Sequence, residues 1–178
     1  DHIKSKKWLV HEICKHNTVN TGEYKLVKKF NRVAVLGSWN SVLLKELLES
    51  RTSVEHWDFY DINHDCHRDR DIYHEVNQLQ RNYTSIENDV PTLFAHDDIH
   101  KQYDLIINVS CEHMTDIKAV KGPLYALTSN NYEGIEGHIN TITKHEELAI
   151  KNGINTIEYE GSLKLTNYTR FCTIGRVT

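Results

Sequence analysis

Residues 32–50 read RVAVLGSWNSVLLKELLES. Arg32–Leu36 is a short, continuous, valine-rich apolar run, the pattern of a strand buried on both faces. Gly37–Asn40 interrupts it, and Ser41–Ser50 has the apolar spacing of an amphipathic helix. Strand, glycine turn and helix make the first half of a βαβ unit. The alternation continues outward. Ser53–Asp61, with Val54, Trp57, Phe59 and Tyr60, reads as the next strand, Asp69–Gln80 as a helix, and Tyr83–Glu87 as a third strand. Tyr103–Val109 (YDLIINV) is a second strong buried strand, and Pro123–Thr128 (PLYALT) another. Thr143–Asn152 reads as a helix with Thr143 as N-cap and Gly153 as its stop. Ile154–Leu165 and Arg170–Val177 alternate with a period near two and read as an antiparallel terminal pair. Strands alternating with helices imply an α/β fold, a mostly parallel sheet covered on both faces.

Upstream, residues 3–16 (IKSKKWLVHEICKH) read as a helix with Trp8, Leu9 and Ile13 on one face and lysines on the other. Asn17–Gly22 reads as a turn, and Tyr24–Phe30 as a short helix or strand. Residues 1–30 are therefore expected to cap the domain formed by residues 31–178, near its cleft.

The chain has 178 residues, 39% hydrophobic and 26% charged, with eight glycines and two prolines. That is an ordinary globular composition with enough length to bury one core. No apolar run is long enough to cross a membrane. The sequence starts at Asp1 rather than Met, so the initiator Met and further residues are expected to lie outside it, and its first residues do not read as a secretory apolar stretch. Cys14, Cys66, Cys111 and Cys172 are far apart and form no CxxC, so a zinc-ribbon pattern is excluded; a chain of this length does not need disulfides, and a reduced, cytoplasmic protein is expected. Net charge is −4, unevenly spread: residues 1–32 carry eight Lys/Arg against three acids. A basic arm can meet a phosphate backbone, but such a segment is more often a solvated helix face.

In a parallel sheet the ligand sits beyond the carboxyl ends of the strands, at the switch point. The loops there hold the candidate residues. Gly37 would let a ligand approach backbone amides at a helix start. Asp61, 24 positions on, stands where Rossmann-type sites place the acid that takes ribose hydroxyls. Asp58 competes for the role but falls inside an apolar run. The loop Asn108–Met114 (NVSCEHM) packs six polar or soft groups at the end of a buried strand, with Glu112 or His113 as a general base. Cys111 is either a nucleophile or a small buried residue. The loop Ser129–His138 (SNNYEGIEGH) brings Asn130, Asn131, Tyr132, Glu136 and His138 toward the same cleft. The types Cys111, Glu112, His113 and His138 suit zinc or iron, but no HxH or HxxxH spacing supports a metal, and none is expected. The stretch His64–His67 lies in a charged run and reads as solvated.

This order of elements resembles the class I, Rossmann-like S-adenosylmethionine-dependent methyltransferases over roughly residues 31–177. VAVLGSWNS (33–41) stands at the family's glycine turn, YDIN (60–63) at the acid ending its second strand, ENDV (87–90) at the acid beside the adenine, and YDLIINVS (103–110) at its fourth strand. The turn departs from the family: Val35 stands at the family's acidic position two before the first glycine, and of the glycine positions only Gly37 is kept, with Trp39 and Ser41 at the other two. The resemblance implies a seven-stranded, mostly parallel sheet with an antiparallel C-terminal strand. It implies S-adenosyl-L-methionine held by Gly37, Ser38, Trp39, Asn40, Asp61, Asp89, Val90 and Asn108, and methyl transfer with Glu112, His113 and His138 at the reacting end. No Asn-Pro-Pro-aromatic motif of base-methylating enzymes occurs. A small-molecule acceptor is therefore expected rather than nucleic acid, and no membrane partner. An NAD-dependent oxidoreductase would need a fuller GxGxxG, and a non-catalytic S-adenosylmethionine-binding module would not need the polar loops.

Overall fold

The computed structural model describes residues 1–20 and 25–178. In chain order the elements are α1 (His2–His16), β1 (Thr18–Asn20), β2 (Lys25–Val27), β3 (Phe30–Leu36), α2 (Val42–Glu49), β4 (Val54–Asp61), α3 (His64–Val76), β5 (Tyr83–Glu87), α4 (Val90–Leu93), α5 (Asp97–His100), β6 (Leu105–Asn108), β7 (Leu124–Asn130), α6 (Glu146–Asn152), β8 (Thr156–Lys164) and β9 (Thr169–Arg176). β1 and β2 pair antiparallel, where the sequence suggests a turn followed by a short helix or strand. The part of those readings on residues 21–24 lies outside the described residues.

The main sheet has seven strands in the order β5-β4-β3-β6-β7-β9-β8. Pairing is parallel from β5 to β7, and β9 alone runs against both of its neighbours. β3 and β6 are central, Val33 lying opposite both Trp57 and Leu105. Successive residues of β3 point to opposite faces. Val33 and Val35 pack with Leu9, Ile13, Leu44, Leu48 and Trp57 from the α1–α2 side. Ala34 and Leu36 pack with Phe94, Tyr125 and Leu148 on the α4–α6 side. Burying one such aliphatic side chain contributes about 1.5–3 kcal/mol, so a strand buried on both faces is fixed in place. α1 joins this core through Leu9, Val10, Ile13 and Cys14.

Two boundaries move. The helix expected over 69–80 starts five residues earlier, because the Asn63 side chain accepts the Asp65 amide at 3.0 Å and caps the first turn. The His64–His67 stretch is accordingly not solvated throughout: Cys66 and His67 are buried, together with Arg70 and His74. The helix expected from Thr143 begins at Glu146. Thr143 does not cap it with its own side chain; instead Glu147 Oε1 accepts from the Thr143 amide and hydroxyl and from the Lys144 amide.

Candidate active site

The chain runs outward from β3 to β5, then crosses back to β6 on the other side of β3, so the switch point lies between β3 and β6. Gly37 follows one strand and Ser110 the other, and Ser110 Oγ donates to the Gly37 carbonyl at 3.0 Å. A Cβ on Gly37 would come within 2.6 Å of Ser110 Cβ, and Gly37 has φ +57°. Glycine is required there for close approach and backbone conformation together.

Trp39 and Ser41 also have positive φ, 49° and 43°. A non-glycine residue there costs roughly 1–2 kcal/mol, so something must hold the turn. Arg70 does so from α3. It is fully buried, donating to the carbonyls of Trp39 (2.5 Å) and Asn40 (2.9 Å) and to Ser38 Oγ (3.0 Å). Its guanidinium lies 4.1 Å over the Phe59 ring, and burial lowers its pKa to about 10. Arg70 is the residue the sequence reading missed; an arginine in a charged run gives no sign of burial.

Two cavities open at this switch point. One, of about 440 Å³, is lined by Trp39, Asp61, Ile62, Asp89, Val90 and Met114, among others. Asp61 accepts the Trp39 amide on Oδ2 at 2.8 Å and the Asn63 amide on Oδ1 at 2.9 Å. Each oxygen keeps a second lone pair for a ligand. Asp89 caps α4 through the Thr92 amide, and it lines the cavity as well. Ile62 is 72% exposed beside it, an apolar surface facing buried Val90 across the same opening.

The other cavity, of about 300 Å³, is lined by the start of α1 (His2, Ser5, Lys6, Leu9) and by Glu112, His113, Asn130, Tyr132, His138 and Arg170. Glu112 is 3% exposed; its Oε1 accepts from Asn130 Nδ2 at 2.7 Å and Arg170 Nη2 at 3.2 Å. Its Oε2 is buried without a hydrogen-bond partner. Burial, then the neighbouring Arg170, lowers the Lys6 pKa. Cys111 is buried and its thiol is pushed well above the usual value, first by burial and then by Glu112. Its burial in the core on the α4–α6 side of the sheet is that of a packing residue. The cavities share Gly37, Trp39, Ser110 and His113.

No protein-family model matches the sequence, and no curated protein matches it. Solved structures do match in shape. A protein proposed to be a sarcosine dimethylglycine methyltransferase from Galdieria sulphuraria superposes with TM-score 0.69 at 12% identity, over 97% of this chain and 85% of that one. An S-adenosylmethionine-dependent methyltransferase from Clostridium acetobutylicum gives 0.59 at 13% identity, over 97% and 91%. M. capricolum TrmK, in complex with S-adenosyl-homocysteine, gives 0.55 at 15% identity, over 82% and 62%. This chain has the fold of the class I S-adenosylmethionine-dependent methyltransferases.

Against that fold, the turn lacks glycines in sequence but not in conformation, since Trp39 and Ser41 take the left-handed backbone that glycine adopts most easily. Gly37, Ser38, Trp39, Asp61, Asp89 and Val90 line one or both cavities. Asn40 does not: it is exposed, and its carbonyl serves Arg70. Asn108 does not either. Its Oδ1 accepts the Ser110 amide at 3.0 Å and its amide group meets Met114 Sδ at 3.2 Å, so it shapes the loop from within. Asp58 is buried inside β4 and paired with Arg32 at 2.6 Å, away from both cavities. The two loops expected to share a cleft do so, with the His113 and His138 rings 4.5 Å apart and edge to face.

Proposed function

We propose that this chain transfers a methyl group from S-adenosylmethionine to a small-molecule acceptor. The observation that carries this reading is the pair of cavities meeting at Gly37, Trp39, Ser110 and His113. The larger one fits a nucleoside: Asp61 and Asp89 offer acceptors for hydroxyl and amine hydrogens, and Ile62 and Val90 offer apolar cover for a base. The smaller one, about 300 Å³, is of the size that takes a small molecule.

The bound cofactor supplies an electrophilic methyl on a sulfonium. The residues do the positioning. Asp61 fixes the ribose, and the Gly37 turn brings backbone close to the chain that carries the sulfonium. Glu112, His113 and His138 stand on the acceptor side of the shared wall and activate the acceptor atom. Holding the two reacting atoms in line is the largest part of such catalysis. The four cysteines are all free and buried, which fits a reducing compartment.

Thermal denaturation with S-adenosylhomocysteine, with NAD and without ligand tests the reading. Binding to the native state alone contributes about 2.7 kcal/mol at a hundredfold excess over Kd, a rise of several degrees in Tm for a chain this size. The expected outcome is that S-adenosylhomocysteine raises Tm and NAD does not. A shift with NAD alone would replace the methyltransferase by the oxidoreductase reading; no shift with either at millimolar concentration would refute both.

A further inference from the structure

We propose that Glu112, His113 and His138 together form a binding site for a divalent transition-metal ion on the acceptor side of the cleft. This deepens the methyltransferase reading and rests on it only for the metal's role. One ligand atom from each residue lies within 4.8 Å of the others. His113 Nδ1 faces the Gly137 carbonyl at 3.2 Å, and His138 Nδ1 faces the Tyr132 carbonyl at 2.7 Å. A carbonyl only accepts, so each Nδ1 is the donor, and in the neutral ring Nε2 is the nitrogen that keeps a lone pair for a metal. Imidazole ligands of metals are oriented in this way, by an outer hydrogen bond from the other ring nitrogen.

The carboxylate supplies an independent observation. Glu112 Oε2 is buried with no hydrogen-bond partner, while Oε1 is held by Asn130 and Arg170. An unpaired buried carboxylate oxygen is costly, and a cation between it and the two imidazoles removes the cost. The loops are also fastened to each other. The Glu112 carbonyl accepts the amides of Ile139 (2.9 Å) and Asn140 (3.1 Å), just past His138. Metal bonds of about 2.0–2.2 Å hold ligands roughly 3–3.5 Å apart, so the site closes by about an ångström, within reach of the exposed His113 ring.

Two imidazoles and a carboxylate suit zinc, iron(II) or manganese better than magnesium, which prefers oxygen. Three protein ligands leave coordination positions open toward the cavity, the arrangement of catalytic rather than structural sites. An acceptor hydroxyl bound there loses its proton to solvent more readily. Its oxygen then forms the new bond to the methyl carbon as the carbon–sulfur bond breaks, and that electron pair neutralises the sulfonium. The metal would thus select hydroxylated acceptors.

The test is calorimetric titration of chelator-treated protein with Zn²⁺, Mn²⁺ and Mg²⁺, each alone, and visible absorption with Co²⁺. Expected is one tight Zn²⁺ or Mn²⁺ per chain, weak Mg²⁺, and a Co²⁺ spectrum with nitrogen ligation. His113→Ala and His138→Ala each weaken binding at least about tenfold, the loss that removing even an outer partner of a metal ligand gives. His138→Ala, at a residue that lines only the smaller cavity, is expected to keep the Tm shift with S-adenosylhomocysteine, which separates failure of this site from failure of the cofactor reading, and far-UV circular dichroism of both variants shows that they fold. No stoichiometric binding, or binding unchanged in both variants, overturns the proposal. Magnesium binding as tight as zinc overturns the assignment of metal class.

Discussion

Replacing Gly37 by alanine probes the junction on which both cavities depend. A Cβ there meets Ser110 Cβ at 2.6 Å and Met114 Cε at 3.0 Å, on a residue with φ +57°. Two costs add. The left-handed conformation costs alanine roughly 1–2 kcal/mol. The contact with Ser110 forces the loops after β3 and β6 apart, and overpacking of that kind costs about 1–3 kcal/mol. The sum, about 2–5 kcal/mol, is a large share of the 5–15 kcal/mol by which ordinary domains are stable. The two parts can be separated. Ser110→Gly removes the opposing Cβ and hydroxyl, so in that background Gly37→Ala should cost only the backbone part. The coupling between the two sites should therefore be about 1–3 kcal/mol, the size found for residues in contact. Urea denaturation of the wild type, both single variants and the double variant measures it, provided the m-value is unchanged. A cost under 1 kcal/mol for Gly37→Ala, or an equal cost in both backgrounds, would refute the argument that close approach of these two loops is what demands glycine.

Other perturbations separate the roles further. Glu112→Gln and His113→Ala should leave S-adenosylhomocysteine affinity within a few-fold while lowering turnover by about 10²–10⁴ on whichever acceptor is found; full turnover in both would remove them from the reaction. Asp61→Ala should weaken the ligand-induced Tm shift, since a hydrogen bond to a charged group contributes roughly 1.5–3 kcal/mol. Asp58→Ala should instead lower stability by leaving Arg32 without its partner and keep the shift, so equal effects of the two on binding would contradict their placement. His74 and His100 are buried, and burial lowers the pKa of each below 6.5. The unfolded chain therefore takes up protons that the fold refuses, and stability falls as pH drops below about 6.5, by up to about 1.4 kcal/mol per pH unit for each histidine. His74→Phe, which keeps an aromatic ring against Tyr83 where the His74 ring lies tilted with centroids 4.7 Å apart, should flatten that slope in urea melts between pH 7 and pH 5; an unchanged slope would place the acid sensitivity elsewhere.

The fold was legible wherever burial is carried by apolar side chains. β3 and β6 are enclosed on both faces, so their sequences are continuous apolar runs and their strand type follows directly. α3 was misplaced for the opposite reason. The face it buries consists of Cys66, His67, Arg70 and His74, and no hydrophobic period marks it. Its partners are polar as well: Arg70 is satisfied by the carbonyls of the Gly37 turn and by Ser38 and Ser85. A buried arginine is recognisable only from what surrounds it, and the oxygens that accept from Arg70 belong to residues 15 to 32 positions away.

The same distinction divides the candidate site. Polarity at a strand end picked out Glu112 and His113, which line the smaller cavity, but it also selected Asn108, whose side-chain hydrogen bonds stay inside its own loop. Spacing within one stretch argued against a metal, since Glu112 and His113 are adjacent and His138 lies far along the chain. That argument assumes that ligands come from one element. Here they come from two, because β6 and β7 are parallel neighbours and their carboxyl-end loops leave the sheet side by side. Once the Glu112 carbonyl takes the amides of residues 139 and 140, the second imidazole is delivered to the first. Arg170, 58 positions from Glu112, completes the set from the one strand that runs the other way. An antiparallel β9 places the start of its sequence, rather than its end, beside the carboxyl ends of β6 and β7. The reversed strand of this fold thus gives the site a cation from the beginning of β9, where a parallel strand would have presented its last residues.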